Sequence, residues 1–111
     1  SQPSFLNAAC RLWTTLDPFQ LMAKLKEIEA AVGHGRPFVN APRALDIDIL
    51  LHGRTVLRSP GLTIPHPRMA ERAFVLKPLA EIAPGLRHPV LKETVRSLLA
   101  SLSMPRGAVT P

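Results

Sequence analysis

The segment that most constrains this chain reads Pro42-Arg43-Ala44-Leu45-Asp46-Ile47-Asp48-Ile49-Leu50-Leu51. Successive side chains of a β-strand point to opposite faces, so Asp46 and Asp48 share one face of a strand built from this segment. The other face carries only apolar side chains, those of Leu45, Ile47, Ile49 and Leu51. The pattern predicts a strand that packs on one side and presents two negative charges on the other.

The two carboxylates of this predicted strand indicate a cation site. Residues two apart on a strand lie about 6.6 Å apart along it, and like charges at this distance repel one another unless a cation lies between them. Oxygen ligands favour Mg²⁺ or Ca²⁺ over zinc, and Mg²⁺ commonly combines one or two carboxylates with substrate phosphates. The alternative is a polar strand face that meets solvent and binds no ion.

Composition narrows the classes of protein to which the chain can belong. With 111 residues, 46% of them hydrophobic, it forms one domain with a modest core and is too apolar for a disordered chain. The net charge of +6 indicates anionic partners, either a nucleic-acid backbone or the phosphates of a nucleotide. No apolar run approaches the roughly 18 residues that cross a bilayer, so we expect no membrane partner and a cytoplasmic location.

The rest of the chain is read as alternating strands and helices. Alternation over 5–14 predicts a strand whose core-facing residues are Leu6, Ala8, Cys10 and Leu12. Asp17-Pro18 followed by Gln20 predicts a capped helix that ends near Val32. Its predicted core face consists of Phe19, Met22, Leu25, Ile28 and Val32. A short strand over 55–57, a helix over 73–82 and a last helix capped by Thr94 follow, which favours an α/β sandwich with helices on one side of a sheet.

Cationic side chains surround the acidic pair in sequence. They are Arg36, Arg43, Arg54, His66, Arg68 and Arg72. Carboxylates that hold a metal, together with guanidinium groups that take phosphate oxygens, form a phosphoryl-transfer arrangement. The alternative is a set of solvated surface charges. His66, held extended between two prolines, is better suited to a ligand contact than to packing.

An aromatic and an amide lie together on the first predicted strand. Phe5 and Asn7 share the face opposite its predicted core. An aromatic ring can stack on a flat heterocycle while an amide satisfies the donors and acceptors of the heterocycle's edge. Ordinary packing is the alternative for both residues, and for Phe74.

Three segments of the chain together resemble the 6-hydroxymethyl-7,8-dihydropterin pyrophosphokinases. They are Gln2–Ala9, Asn40–Leu51 and Thr63–Leu79, in the order and at the intervals of that family, and the resemblance runs from about Gln2 to Leu102. It implies an α+β ferredoxin-like sandwich with helices on a mostly antiparallel sheet. It also implies transfer of a pyrophosphoryl group from ATP to the hydroxymethyl oxygen of the pterin, with release of AMP, in folate biosynthesis.

The resemblance also implies roles for individual residues. Asp46 and Asp48 would hold two Mg²⁺ ions and form the catalytic group together with Arg36 and Arg43. The pterin would be bound by Phe5, Asn7 and Phe74. ATP would be bound by Glu29, Arg36, Arg43, His66 and Arg72, with Arg36 on a loop that closes over it.

The chain also departs from the family's pattern. It opens on Ser1 and lacks the family's first strand, first helix and second strand, so we expect one domain over 1–111 that corresponds to the C-terminal two-thirds of the enzyme, with 103–111 as a frayed tail.

Expected partners are ATP and the pterin, without nucleic acid, and fusion to another folate enzyme stays open. Two alternatives also stay open: a non-catalytic fragment, and a small basic RNA-binding module. The second is disfavoured by the acidic pair and by few aromatics, four Phe and one Trp with no Tyr.

Overall fold

The computed structural model describes residues 7–33 and 45–103. These residues form an α+β fold of three helices and a two-stranded antiparallel sheet, consistent with the ferredoxin-like arrangement that the resemblance implies. The elements are α1 (Pro18–Gly33), β1 (Leu57–Ser59), β2 (Leu62–Ile64), α2 (Ala73–Ile82) and α3 (Val95–Ser103), with a 3₁₀ turn over Met69–Glu71. Among the described residues, no helix is long and apolar enough to cross a membrane.

Helix α1 begins where the sequence predicts, because its first turn is capped from both sides. The Asp17 N–H donates to Oε1 of Gln20 at 2.9 Å, and the Gln20 N–H donates to Oδ1 of Asp17 at 2.8 Å. This reciprocal pair satisfies two backbone donors that a helix start otherwise leaves unpaired. The helix ends at Gly33, one residue beyond the predicted end.

The predicted core face of α1 is only partly correct. The residues of this helix that pack against the described core are Leu21, Met22 and Leu25. The predicted core residues Phe19, Ile28 and Val32 are instead 55%, 47% and 49% exposed. The helix carries apolar side chains on more than one side, so the spacing alone could not show which side meets the sheet.

A tight turn joins β1 and β2. Leu57 pairs with Ile64 and Ser59 with Leu62, so that Pro60 and Gly61 form a two-residue connection. Gly61 has a φ of +84°, the value that the second central residue of a type II turn requires and that glycine adopts without a steric penalty. Of the strand predicted over 55–57, only the last residue, Leu57, belongs to β1.

Two of the predicted strands are not strands in the described part of the chain. Residues 7–14 and 45–51 lie outside regular secondary structure. A strand is held by hydrogen bonds to a neighbouring strand, and the described residues supply no such ladder to either segment. In residues 7–14 the predicted facing of the side chains also fails: Leu12 is 51% exposed, whereas Ala9, predicted on the opposite face, packs against the core.

Two clusters of buried residues make up the core. The first cluster joins α2, α3 and the 3₁₀ turn, and consists of Met69, Leu76, Leu79, Ala83, Val95 and Leu98. The second cluster, under α1 and the hairpin, consists of Ile49, Leu62 and Ile64. Leu50 and Leu51 pack against the first cluster, so the acidic segment runs between the two clusters and contacts both.

The last helix begins at its predicted cap. Oγ1 of Thr94 accepts the N–H of Ser97 at 3.1 Å, and Val95 and Leu98 are buried in the first cluster. Ser103, predicted to begin a frayed tail, is the last residue of α3, and residues 104–111 lie outside the described part.

Candidate functional site

The acidic segment presents its two carboxylates to solvent. Asp46 and Asp48 are exposed, Leu45 and Ile47 are half-buried and Ile49 is buried. The alternation that the sequence predicts therefore exists over 45–49, although the segment belongs to no strand. It is the packing of the segment between the two core clusters, rather than a β-ladder, that sets which side chains point outward.

Glu29 connects helix α1 to this acidic segment. Its Oε2 accepts the backbone N–H of Ile47 at 2.5 Å, between the two aspartates in sequence. Its Oε1 lies 3.5 Å from Nζ of Lys26, and the Glu29 side chain is only 12% exposed. The resemblance assigns Glu29 to ATP binding, and the structure places its carboxylate against the backbone of the segment that carries the carboxylate pair.

His66 lies beside the other end of the same segment. Its backbone N–H donates to the carbonyl oxygen of Leu50 at 2.9 Å, and Nδ1 of its ring accepts the N–H of Arg68 at 3.3 Å. In the neutral ring this leaves the proton on Nε2, which can donate to a phosphate oxygen. The peptide bond between Ile64 and Pro65, just before His66, is cis.

Arg72 and Phe74, predicted to bind two different substrates, contact one another. The Arg72 guanidinium carbon lies 5.7 Å from the centroid of the Phe74 ring. Arg72 is half-buried immediately before α2, and Phe74, in the first turn of that helix, is 52% exposed. A cation over an aromatic face is a favourable contact, and here it places the predicted nucleotide-binding arginine against the predicted pterin-binding ring.

An open depression of about 410 Å³ brings together Asn7 and Phe74, the two residues predicted to bind the pterin that lie in the described part of the chain. Its remaining lining residues are Ala8, Ala9, Lys77, Pro78, Glu81 and Ile82. This surface offers one exposed aromatic ring, which can stack on a flat heterocycle, and one amide, which can hydrogen-bond to the heterocycle's polar edge.

Sequence reasoning missed Lys77 and Glu81 in this depression. They lie three and seven residues after Phe74 on α2, and residues at these spacings occupy one face of a helix. The spacing of these two residues from Phe74 therefore could have indicated that they lie on the same face of the helix as this ring. Phe5, Arg36 and Arg43, predicted from the resemblance, lie outside the described residues.

The donor set on the acidic segment suits Mg²⁺ better than a zinc ion. Over residues 7–33 and 45–103, no three His, Cys, Asp or Glu side chains are grouped so that they could hold a metal by themselves. Two exposed carboxylates are few for a zinc site, but they are sufficient for Mg²⁺, which keeps several waters and takes further ligands from substrate phosphates.

Together, fold and side chains define a small α+β domain with an exposed carboxylate pair, a neighbouring histidine and an aromatic-lined depression. The sequence model of the 7,8-dihydro-6-hydroxymethylpterin-pyrophosphokinase (HPPK) family matches residues 1–84. The chain belongs to this family.

Relatives of this chain include bacterial enzymes and longer folate-synthesis proteins. It is 48% identical over 88 residues to the 2-amino-4-hydroxy-6-hydroxymethyldihydropteridine pyrophosphokinase of Pseudomonas aeruginosa, covering 79% of this chain and 54% of that protein. It is 38% identical over 96 residues to the enzyme of the same name from Aquifex aeolicus, covering 86% and 60%. The folic acid synthesis protein fol1 of Pneumocystis carinii is 45% identical over 96 residues, covering 86% of this chain and 13% of that protein. The chain thus spans little more than half the length of these bacterial relatives and a much smaller part of the fungal one.

Proposed function

We propose that this chain is part of an enzyme that transfers a pyrophosphoryl group from ATP to the hydroxymethyl group of 6-hydroxymethyl-7,8-dihydropterin, in folate biosynthesis. Family membership supports the reaction class. The observation that carries the proposal is the exposure of Asp46 and Asp48 on a segment packed between two core clusters, with His66 bonded to its end. In the reaction the hydroxymethyl oxygen attacks the β-phosphorus and its hydroxyl proton is released to solvent, the bond from that phosphorus to the oxygen bridging the α-phosphorus breaks, and AMP leaves.

The carboxylate pair would hold the metal. Asp46 and Asp48 offer oxygen ligands to two Mg²⁺ ions. When bound, these ions neutralise charge on the triphosphate. His66 donates from Nε2 and Arg72 donates from its guanidinium to phosphate oxygens, and Arg36 and Arg43 complete the cationic set.

The depression at the start of α2 would hold the pterin. The Phe74 ring stacks on the heterocycle and the amide of Asn7 pairs with its edge, and the resemblance adds Phe5 as the second ring of a sandwich. Since Arg72 lies against Phe74, the contact supports adjacent sites for nucleotide and pterin, as transfer between two bound substrates requires.

The relatives also bear on whether this domain is joined to another enzyme and on where in the cell it is located. The names of two relatives, folic acid synthesis protein fol1 and folate synthesis bifunctional protein, describe chains of which this one covers only 13% and 16%. These sizes support the proposal that this domain can be joined to another folate enzyme. The Pisum sativum protein is named as mitochondrial, and for the present chain a cytoplasmic location stays a prediction.

A non-catalytic role is the second candidate function. A domain that binds substrates without turnover would still bind Mg²⁺ and ATP, so binding and turnover must be measured separately.

Removing either aspartate should strongly weaken Mg²⁺-dependent nucleotide binding. Loss of an outer-shell partner of a metal costs about 10- to 100-fold in affinity, so loss of a ligand in D46A or D48A should cost at least that much. Titration calorimetry with ATP, with and without Mg²⁺, measures the effect. E27A is the matched control, because Glu27 is an exposed α1 carboxylate, 3.9 Å from Nζ of Lys24.

Two results would contradict the proposal. One is ATP binding that does not depend on Mg²⁺ or that survives in D46A and D48A unchanged. The other is salt-sensitive RNA binding without Mg²⁺, which would favour the RNA-binding module. Mg²⁺-dependent binding without AMP formation in the presence of the pterin would favour the non-catalytic role.

A further inference from the structure

The contact between Glu29 and the Ile47 backbone joins elements far apart in sequence. The carboxylate accepts the N–H at 2.5 Å across 18 positions of the chain, and the Glu29 side chain is 12% exposed. A charged side chain with so little access to water is costly to place unless it is hydrogen-bonded. The bond to Ile47 and the nearby Lys26 provide that compensation.

Glu29 occupies a helix position that otherwise belongs to the apolar side of α1. It follows Leu25 by four residues and Leu21 by eight, and residues at these spacings lie on one face of a helix. Leu21 and Leu25 pack against the second core cluster, which includes Ile49 of the acidic segment. The face of α1 that packs on this cluster therefore carries Glu29 near its C-terminal end, where the carboxylate contacts the acidic segment.

The position of the bonded N–H decides what the contact can control. The Ile47 N–H lies in the peptide plane that joins Asp46 to Ile47, and a peptide plane is rigid. Holding that plane restricts ψ of Asp46 and φ of Ile47, and so the directions of the side chains on either side. Among the described residues no β-ladder holds this segment, so Glu29 supplies a restraint that a neighbouring strand would otherwise give.

We propose that Glu29 is a positioning residue: by accepting the Ile47 N–H it fixes the backbone from which Asp46 and Asp48 present their oxygens to a divalent cation bound with a nucleotide. This inference rests on the proposed function. It assigns Glu29 an action through the backbone of the acidic segment, in place of the ATP contact that the resemblance implies. A neutral acceptor of the same shape should therefore replace it, whereas loss of the acceptor should not be tolerated.

The test compares E29A, E29Q and E27A for binding of Mn²⁺ with α,β-methylene ATP. The loss of free Mn²⁺ signal in electron paramagnetic resonance measures binding without turnover. We expect E29A to weaken Mn²⁺ binding about tenfold, the lower end for loss of an outer-shell partner. E29Q keeps a carbonyl acceptor and should stay close to the parent protein. E27A, which removes an exposed carboxylate of the same helix, should match the parent.

A spectroscopic readout checks the same bond without metal. A short, charge-assisted hydrogen bond moves the amide proton resonance downfield, so the Ile47 amide should shift upfield strongly in E29A and less in E29Q. Circular dichroism shows whether each variant is folded. If E29A does not fold, E29Q still decides through its Ile47 resonance and its Mn²⁺ affinity.

Different failures have different meanings. If the parent protein binds Mn²⁺ and nucleotide but E29A binds them equally well, or the Ile47 resonance does not move, the positioning role is wrong and the proposed function stands. If E29Q loses as much affinity as E29A, the charge acts on the cation directly and the inference is again wrong. If the parent does not bind Mn²⁺ with nucleotide, the proposed function fails, and the inference fails with it.

Discussion

At the scale of single residues, the neutral ring of His88 is held in one tautomer by its surroundings. Its side chain is buried, and Nδ1 accepts the N–H groups of Val90 and Leu91 at 3.2 and 3.0 Å. A ring nitrogen that accepts two N–H groups carries no proton, so the neutral ring has its proton on Nε2. Burial lowers the pKa of His88 below its ordinary value of 6.5 because the charged ring would lose hydration.

The buried His88 should make folding stability depend on pH. Below about pH 6.5 the ring is protonated in the unfolded chain but stays neutral in the folded protein. The unfolded state therefore binds more protons, and the free energy of unfolding decreases as the pH is lowered. The stabilisation from neutral His88 is fully present above that pH, and it is lost progressively as the pH falls towards the lower pKa of the folded state. Urea unfolding at pH 7.5 and at pH 5.5 measures it.

His88→Asn is the matched variant for this prediction. An asparagine oxygen can accept backbone N–H groups two or three residues later and does not titrate. The other histidines remain in both proteins, so the loss of stability between the two pH values should be smaller in H88N. An equal loss in the two proteins would show that His88 does not cause it.

The site residues show which contacts the sequence can reveal. The exposure of Asp46 and Asp48 followed from alternation, because that pattern needs only neighbouring positions. The bond from Glu29 to Ile47 could not be foreseen, since it joins positions 18 apart through the packing of a helix. The roles predicted for Arg36 and Arg43 stay predictions.

At the scale of elements, the helices were predictable and the long strands were not. Helices α1, α2 and α3 form within one or two residues of their predicted ends, because helix hydrogen bonds and caps are local. The segments 5–14 and 45–51 have strand patterns, but a strand exists only if another strand pairs with it. Among the described residues such pairing occurs only between β1 and β2, whose turn is itself encoded by Pro60 and Gly61.

The cap of α3 should contribute measurably to folding, because this helix contributes to the first core cluster. T94A removes the oxygen that accepts the Ser97 N–H and should lower the free energy of unfolding by about 1 kcal/mol. T94S, which keeps the hydroxyl, is the control and should lose less. Chemical denaturation followed by circular dichroism measures both, and equal stability of T94A and the parent would contradict the role of the cap.

At the scale of the whole molecule, two buried clusters hold the elements together and position the site. The first cluster brings Ala9, beside Asn7, and α2, which carries Phe74, to one surface. The second cluster anchors α1 and the hairpin to Ile49. Because the acidic segment contacts both clusters, disruption of either one should disturb the carboxylate pair.

A cavity in the first cluster should destabilise the protein strongly. Leu76 is 0% exposed, and L76A removes buried apolar contacts at a cost of about 2 to 5 kcal/mol in the free energy of unfolding. I82A, on the same helix but 43% exposed, is the control and should cost about 1 kcal/mol or less. Urea denaturation measures both variants, and similar losses would mean that the first cluster is not tightly packed.

By itself, the sequence determined the helices, the caps of α1 and α3, the exposure of the two aspartates and the family. Each of these depends on neighbouring residues or on motifs that are continuous in the chain. Only the tertiary structure decided which face of α1 is buried, that Leu50 and Ile49 contact different clusters, and that Glu29 bonds to Ile47. These depend on the free energy of packing distant segments against one another, and a one-dimensional pattern that fits several packings cannot select among them.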